Sequence, residues 1–173
     1  MTPNQVTAIR AAIVALVAAL FVIPAQAAVA WIAVVASSIA AILDGVDGWL
    51  ARRTGMITAF GARFDMEVDA LLIFVLAILA WRWAKAGPWV LMSGLLRYLF
   101  VAAGRVWPWM RGPLAPTRRA RFICVVQIVA LIVAIAPIIP APFSAAIAAG
   151  GLLMLAYSFL VDTMRLWQNR SSA

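Results

Sequence analysis

Apolar residues fill six long blocks of this chain, at 6–23, 27–43, 64–81, 88–106, 122–139 and 143–160. Each block approaches the roughly 20 residues that a helix needs to cross a bilayer. A segment inside hydrocarbon must satisfy its own backbone hydrogen bonds, which a helix does and an open strand does not. The breaks between blocks carry helix-ending residues or charge. They are Pro24, the charged stretch 44–63, the run Lys85-Ala86-Gly87-Pro88, the proline-bounded loop 108–116 and the segment 137–142, which begins and ends in proline. The pattern predicts an all-α integral membrane protein with six transmembrane helices, built as a single domain over 1–173. The triplet Ala25-Gln26-Ala27 has the form of a signal-peptidase site, but the first block is long enough to remain a span.

Composition agrees with the pattern: 66% of residues are hydrophobic and 12% charged, which excludes a water-soluble globule. Fourteen Lys and Arg against six acids give a formal charge of +8. In a soluble protein this excess would suggest nucleic acid, whereas in a membrane protein it marks cytoplasmic loops and anionic headgroups. The expected partners are therefore membrane lipids and no nucleic acid. With an inside amino terminus, Arg10, Arg52, Arg53, Arg63, Arg105, Arg111, Arg118, Arg119, Arg121, Arg165 and Arg170 fall at or near the inner face, while Arg82 and Lys85 fall outside. Both termini, the 44–63 stretch and the 111–121 loop are thus expected in the cytoplasm. Most of the eight tryptophans lie near helix ends, as interfacial anchors do.

Candidate chemistry is narrow. Histidine is absent and Cys124 is the lone cysteine, which excludes His or Cys metal sites and His acid/base catalysis. Five of the six acids, Asp44, Asp47, Asp65, Glu67 and Asp69, lie within 26 residues. Asp44 and Asp47 are three apart at the end of the second helix, and Asp65 and Asp69 four apart at the start of the third, so each pair shares a helix face. A short connection is expected to make these helices neighbours and bring the two pairs together. Four converging carboxylates repel one another unless a cation lies between them. Oxygen ligands without His or Cys select Mg²⁺, Mn²⁺ or Ca²⁺. Glu67 falls on a different face and is expected to be structural or solvent-facing. Gly48 and Gly61 suggest a backbone that lies close to a ligand or another helix.

The run from Asp44 and Asp47-Gly48 through Ala51-Arg52, then Gly61, Asp65 and Asp69, resembles the signature of the CDP-alcohol phosphotransferase (CDP-alcohol phosphatidyltransferase) family at all eight fixed positions. Pro3-Asn4, Thr7 and Arg10 also resemble the segment that opens many members. The resemblance implies transfer of a substituted phosphate from a CDP-linked donor, such as CDP-diacylglycerol, to an acceptor alcohol with release of CMP. It implies Mg²⁺ or Mn²⁺ held by Asp44, Asp47, Asp65 and Asp69, with Asp69 also the general base. Gly48, Ala51, Arg52 and Gly61 would shape the nucleotide pocket. An integral protein of the bacterial inner membrane follows, with its active site towards the cytoplasm and a homodimer among its expected assemblies.

The acceptor is less well marked. Arg97 falls inside the fourth apolar block, where a cation is costly and usually faces a cavity or an anion. Arg118, Arg119 and Arg121 lead into the fifth helix. Together they are candidates for holding the phosphate of a phosphorylated acceptor. Ala70 follows the fourth Asp where bacterial phosphatidylglycerophosphate synthases commonly carry Lys. The competing readings are a small transporter or channel, which would spread its polar groups through several spans, and an inactive family member acting as an assembly partner.

Overall fold

The computed structural model describes residues 3–54, 59–107 and 118–170, and among these every regular element is helical. Helix α1 covers Pro3–Ala19 and tightens into a 3₁₀ turn at Leu20–Val22; α2 covers Ala27–Thr54 and α3 Ala59–Arg82. A 3₁₀ turn at Pro88–Leu91 leads into α4, Met92–Val106, followed by α5, Arg118–Ile135, and α6, Ala141–Arg170. The prolines act as expected. Ile23 is extended (φ −90°, ψ 134°) before Pro24, and Pro88 starts its turn where no backbone donor is needed.

Three predicted boundaries are corrected. The second apolar block ends at Leu43, yet α2 continues to Thr54. Its 28 residues make a helix about 42 Å long, against a hydrocarbon core of about 30 Å. The charged stretch is therefore mostly helix that outruns the apolar layer. Helix α6 likewise runs ten residues past the predicted end at 160, to Arg170. Helix α5 stops at Ile135 instead of 139, because Pro137 restricts the residue before it and offers no donor.

Helix α3 is the axis of the bundle. It packs against α1, α4 and α5, and Leu72, Leu76, Leu79, Ala77 and Ala80 on it are fully buried. The outer helices turn large apolar residues outwards, among them Ile32 and Val35 on α2 and Leu153 on α6, as a lipid-facing surface requires. Among the described residues α2 and α3 have little direct contact; α1 and α5 each pack against both. The expected direct pairing of α2 with α3 is thus corrected among the described residues: α1 and α5 bridge the two helices, while the acids of α2 and α3 still converge.

Burying apolar surface gives helices little reason to associate in lipid, so close approach at small residues takes over. A Cβ added at Gly94 of α4 would lie 2.7 Å from the Cα of Phe74 on α3, and one at Gly151 of α6 would lie 2.3 Å from Oε1 of Gln127 on α5. Inside the bundle Gln127 Nε2 donates to Ser93 Oγ at 3.0 Å, joining α5 to α4.

Four of these units are apolar and long enough to cross a membrane unaided: α1 with its turn, α2, the 88–106 unit and α6. Helix α3 carries four charged residues near one end, Arg63, Asp65, Glu67 and Asp69, and α5 carries three, Arg118, Arg119 and Arg121, which shorten their uncharged stretches to 70–81 and 122–135. The chain is an all-α membrane protein with α3 at the centre of its packing.

Candidate active site

The acids of α2 and α3 meet at one end of the bundle. Asp44, Asp65 and Asp69 each offer an oxygen, and these oxygens all lie within 4.8 Å of one another. Asp65 and Asp69 reach the same point because residues four apart stack on one helix face. The carboxylates are partly exposed, at 23%, 34% and 19%. Asp47 lies in α2, three residues beyond Asp44; its side chain lies outside the described residues.

One basic residue sits in this cluster, and sequence reasoning had assigned it to topology. Arg10 of α1 is 1% exposed; its Nη1 pairs with Asp44 Oδ1 at 2.9 Å and with Asp65 Oδ1, and its Nη2 with Asp69 Oδ1 at 2.5 Å. Its Nε donates to the carbonyl of Ala40 at 3.2 Å. The only sequence clue was its place in the opening segment that resembles the family. Its partners lie 55 and 59 residues away for the α3 acids, a distance no local pattern reveals. One guanidinium offsets a single negative charge of the three, so the set still favours a further cation. An all-oxygen donor set without His or Cys fits a hard divalent ion.

The small residues are placed as follows. Gly48 is half-buried on α2, and Gly61 is half-buried on α3. A Cβ at Gly45, beside Asp44, would meet nothing within 4 Å, so that flank of the site is open. Ala51 and Arg52 belong to the last turns of α2, and their side chains lie outside the described residues.

The four candidate acceptor arginines separate. Arg97 Nη2 donates to Glu67 Oε1 at 2.5 Å, with the side chains 29% and 53% exposed, so the charge of Arg97 is met by a carboxylate. Glu67 is apart from the three-carboxylate group, as its helix face required. Arg97 Nε is buried without an acceptor. Arg119 Nη2 donates to Asp162 Oδ1 of α6 at 2.7 Å, and its Nε is also buried without an acceptor. Arg121 is exposed and lies within electrostatic reach of Asp69. The side chain of Arg118 lies outside the described residues. Sequence reasoning had left Asp162 without a role; it is the counter-ion that holds Arg119 against α6.

A bundle of apolar helices with three carboxylates gathered at one end marks a membrane protein with a candidate metal-binding cluster. The chain belongs to the CDP-alcohol phosphatidyltransferase family, whose sequence profile matches residues 1–162. It is also similar to a CDP-diacylglycerol--glycerol-3-phosphate 3-phosphatidyltransferase of Pseudomonas fluorescens, 36% identical over 80 residues. That match covers 44% of this chain and 39% of the relative.

Proposed function

We propose that this chain is a metal-dependent phosphatidyltransferase that uses CDP-diacylglycerol as donor and a phosphorylated alcohol of the glycerol 3-phosphate type as acceptor, releasing CMP. The observation that carries the reading is the meeting of Asp44, Asp65 and Asp69 within 4.8 Å, at fixed positions of the family signature. The reading takes 1–173 as one domain with six membrane-crossing helices, both termini and the site facing the cytoplasm of a bacterial inner membrane.

Transfer requires the acceptor oxygen to bond to the phosphorus that carries the diacylglycerol while that phosphorus loses its oxygen link to CMP. The acceptor hydroxyl must also give up its proton. Asp69 takes that proton, since no histidine exists in the chain and Asp69 lies in the cluster where the phosphorus would sit. Mg²⁺ or Mn²⁺ held by Asp44, Asp47, Asp65 and Asp69 would neutralise the pyrophosphate and the leaving phosphate. Gly48, Ala51, Arg52 and Gly61 would shape the nucleotide pocket, as in the family signature they match. Direct transfer needs one such displacement, whereas a route through a phosphorylated aspartate needs two.

The acceptor phosphate is assigned to Arg97 and Arg121, with Arg118 and Arg119 as further candidates. Two features support this: the buried, acceptor-free Nε of Arg97 and the proximity of Arg121 to Asp69. The named activity of the Pseudomonas relative points to the same acceptor class.

The test is CMP release by the purified full chain from CDP-diacylglycerol with Mg²⁺ or Mn²⁺ and a panel of charged and uncharged alcohols. Release is expected only with metal present and fastest with glycerol 3-phosphate. Arg97→Gln is expected to raise the acceptor KM or lower turnover about 10- to 100-fold, the loss of one charge-assisted bond in a poorly hydrated pocket, while CDP-lipid binding holds. A preference for an uncharged acceptor overturns the acceptor assignment, and metal-independent release overturns the metal.

A further inference from the structure

The burial of the acidic cluster is asymmetric. Arg10 is 1% exposed, whereas the three carboxylates it contacts are 19% to 34% exposed. The guanidinium therefore approaches from the protein side, and the open edges of the carboxylates face away from it. Each of the three contacts is made to Oδ1 of its carboxylate. The guanidinium is itself fixed, because Nε is anchored on the Ala40 carbonyl of α2. One rigid fork from α1 thus spans carboxylates from two helices that have little direct contact among the described residues.

We propose that Arg10 is a positioning residue for the metal, holding Asp44, Asp65 and Asp69 from beneath so that their outer oxygens converge on a divalent cation. The proposal deepens the metal-dependent reading above and rests on it. Ligating carboxylates are commonly oriented by hydrogen bonds from a second layer, and losing such a partner typically weakens metal binding about 10- to 100-fold. Arginine suits the position because its planar fork reaches several oxygens in fixed directions, which a lysine ammonium does not. A resident cation that competed for the metal's own seat would give the opposite sign, because its removal would tighten binding.

The experiment is Mn²⁺ binding to the purified full chain in detergent, followed by the loss of the free-Mn²⁺ paramagnetic resonance signal, without substrates. Arg10→Gln is expected to raise the Mn²⁺ Kd about 10- to 100-fold, with Arg10→Lys intermediate and helicity by circular dichroism unchanged. Equal or tighter Mn²⁺ binding by folded Arg10→Gln overturns the proposal while leaving the metal reading intact. If Arg10→Gln does not fold, Arg10→Lys carries the test, and an affinity equal to that of the wild type overturns it. A wild-type chain that binds no Mn²⁺ overturns the metal reading and this proposal together.

Discussion

The two ends of α3 each hold a partly or fully buried cation, and they satisfy it in contrasting ways. At the acidic end Arg10 meets three carboxylates, a set with negative charge left over and an exposed edge. At the opposite end Lys85 meets neutral carbonyls, donating from Nζ to Ala136 O at 2.9 Å and Ile139 O at 2.6 Å. Ser144 Oγ closes the arrangement by donating to the Lys85 carbonyl at 2.7 Å. The carbonyls take two of the ammonium's three donors and add no charge of their own, so that end is a seam between α3 and the turn before α6. Carboxylates do the reverse, since one cation cannot exhaust them. The contrast teaches that the same problem, a cation at the edge of a helical bundle, yields a fastening where its partners are neutral and a binding site where they are charged.

The sharpest way to break this contrast is at the acidic end. Asp69→Asn is expected to lower the turnover of CMP release by roughly 10²- to 10⁴-fold, the range for losing a positioned base, with CDP-lipid binding nearly intact. Asp47→Asn should instead weaken metal and donor binding, since an amide keeps the oxygen but not the charge. Equal loss of donor binding in both variants would leave Asp69 as a ligand only and place the base elsewhere.

At the neutral end the effects should fall on stability alone. Lys85→Met removes two charge-assisted bonds to the 136–139 turn, and is expected to lower unfolding stability by about 2 kcal/mol after allowance for partial exposure. Its CMP release below the new melting temperature should match the wild type; a matching loss of activity would show that the two ends are coupled. The smallest effect lies one residue earlier. Ala84 sits at φ 54°, the left-handed position of a Schellman cap in which Lys85 N–H bonds to Ala80 O at 2.8 Å and Ala84 N–H to Trp81 O at 3.0 Å. Glycine adopts that conformation without the Cβ penalty, so Ala84→Gly is expected to stabilise the chain by about 1 kcal/mol. Thermal unfolding in detergent reads the gain, and a lower melting temperature would refute it.

These two ends were unequally legible in the sequence. Long apolar blocks and prolines marked all six helices, because the bilayer imposes a length and proline imposes a stop. The acids were legible too, since spacings of three and four residues put Asp44 with Asp47 and Asp65 with Asp69 on shared faces. The continuation of α2 to Thr54 was hidden, as hydropathy reports where lipid ends and not where a helix ends. The bridging of α2 and α3 by α1 and α5 was hidden for a different reason: a short connection suggests contact, but packing decides it. Arg10 was concealed by abundance, being one of many arginines that an inside-facing edge accumulates. Lys85 read as an ordinary outside charge, since its carbonyl partners exist only once the turn after α5 is built.

The dependence of Arg10 on distant acids also bears on how the chain is made. Arg10 leaves the ribosome 55 residues ahead of Asp65 and 59 ahead of Asp69, an interval of roughly 3 to 11 s at common synthesis rates. During that interval α1 carries a cation whose native counter-ions on α3 have not been synthesised, and an unpaired cation in an apolar span is costly. Loss of both α3 acids, Asp65 and Asp69, is therefore expected to lower the yield of inserted protein, read by membrane fractionation of the expressed chain.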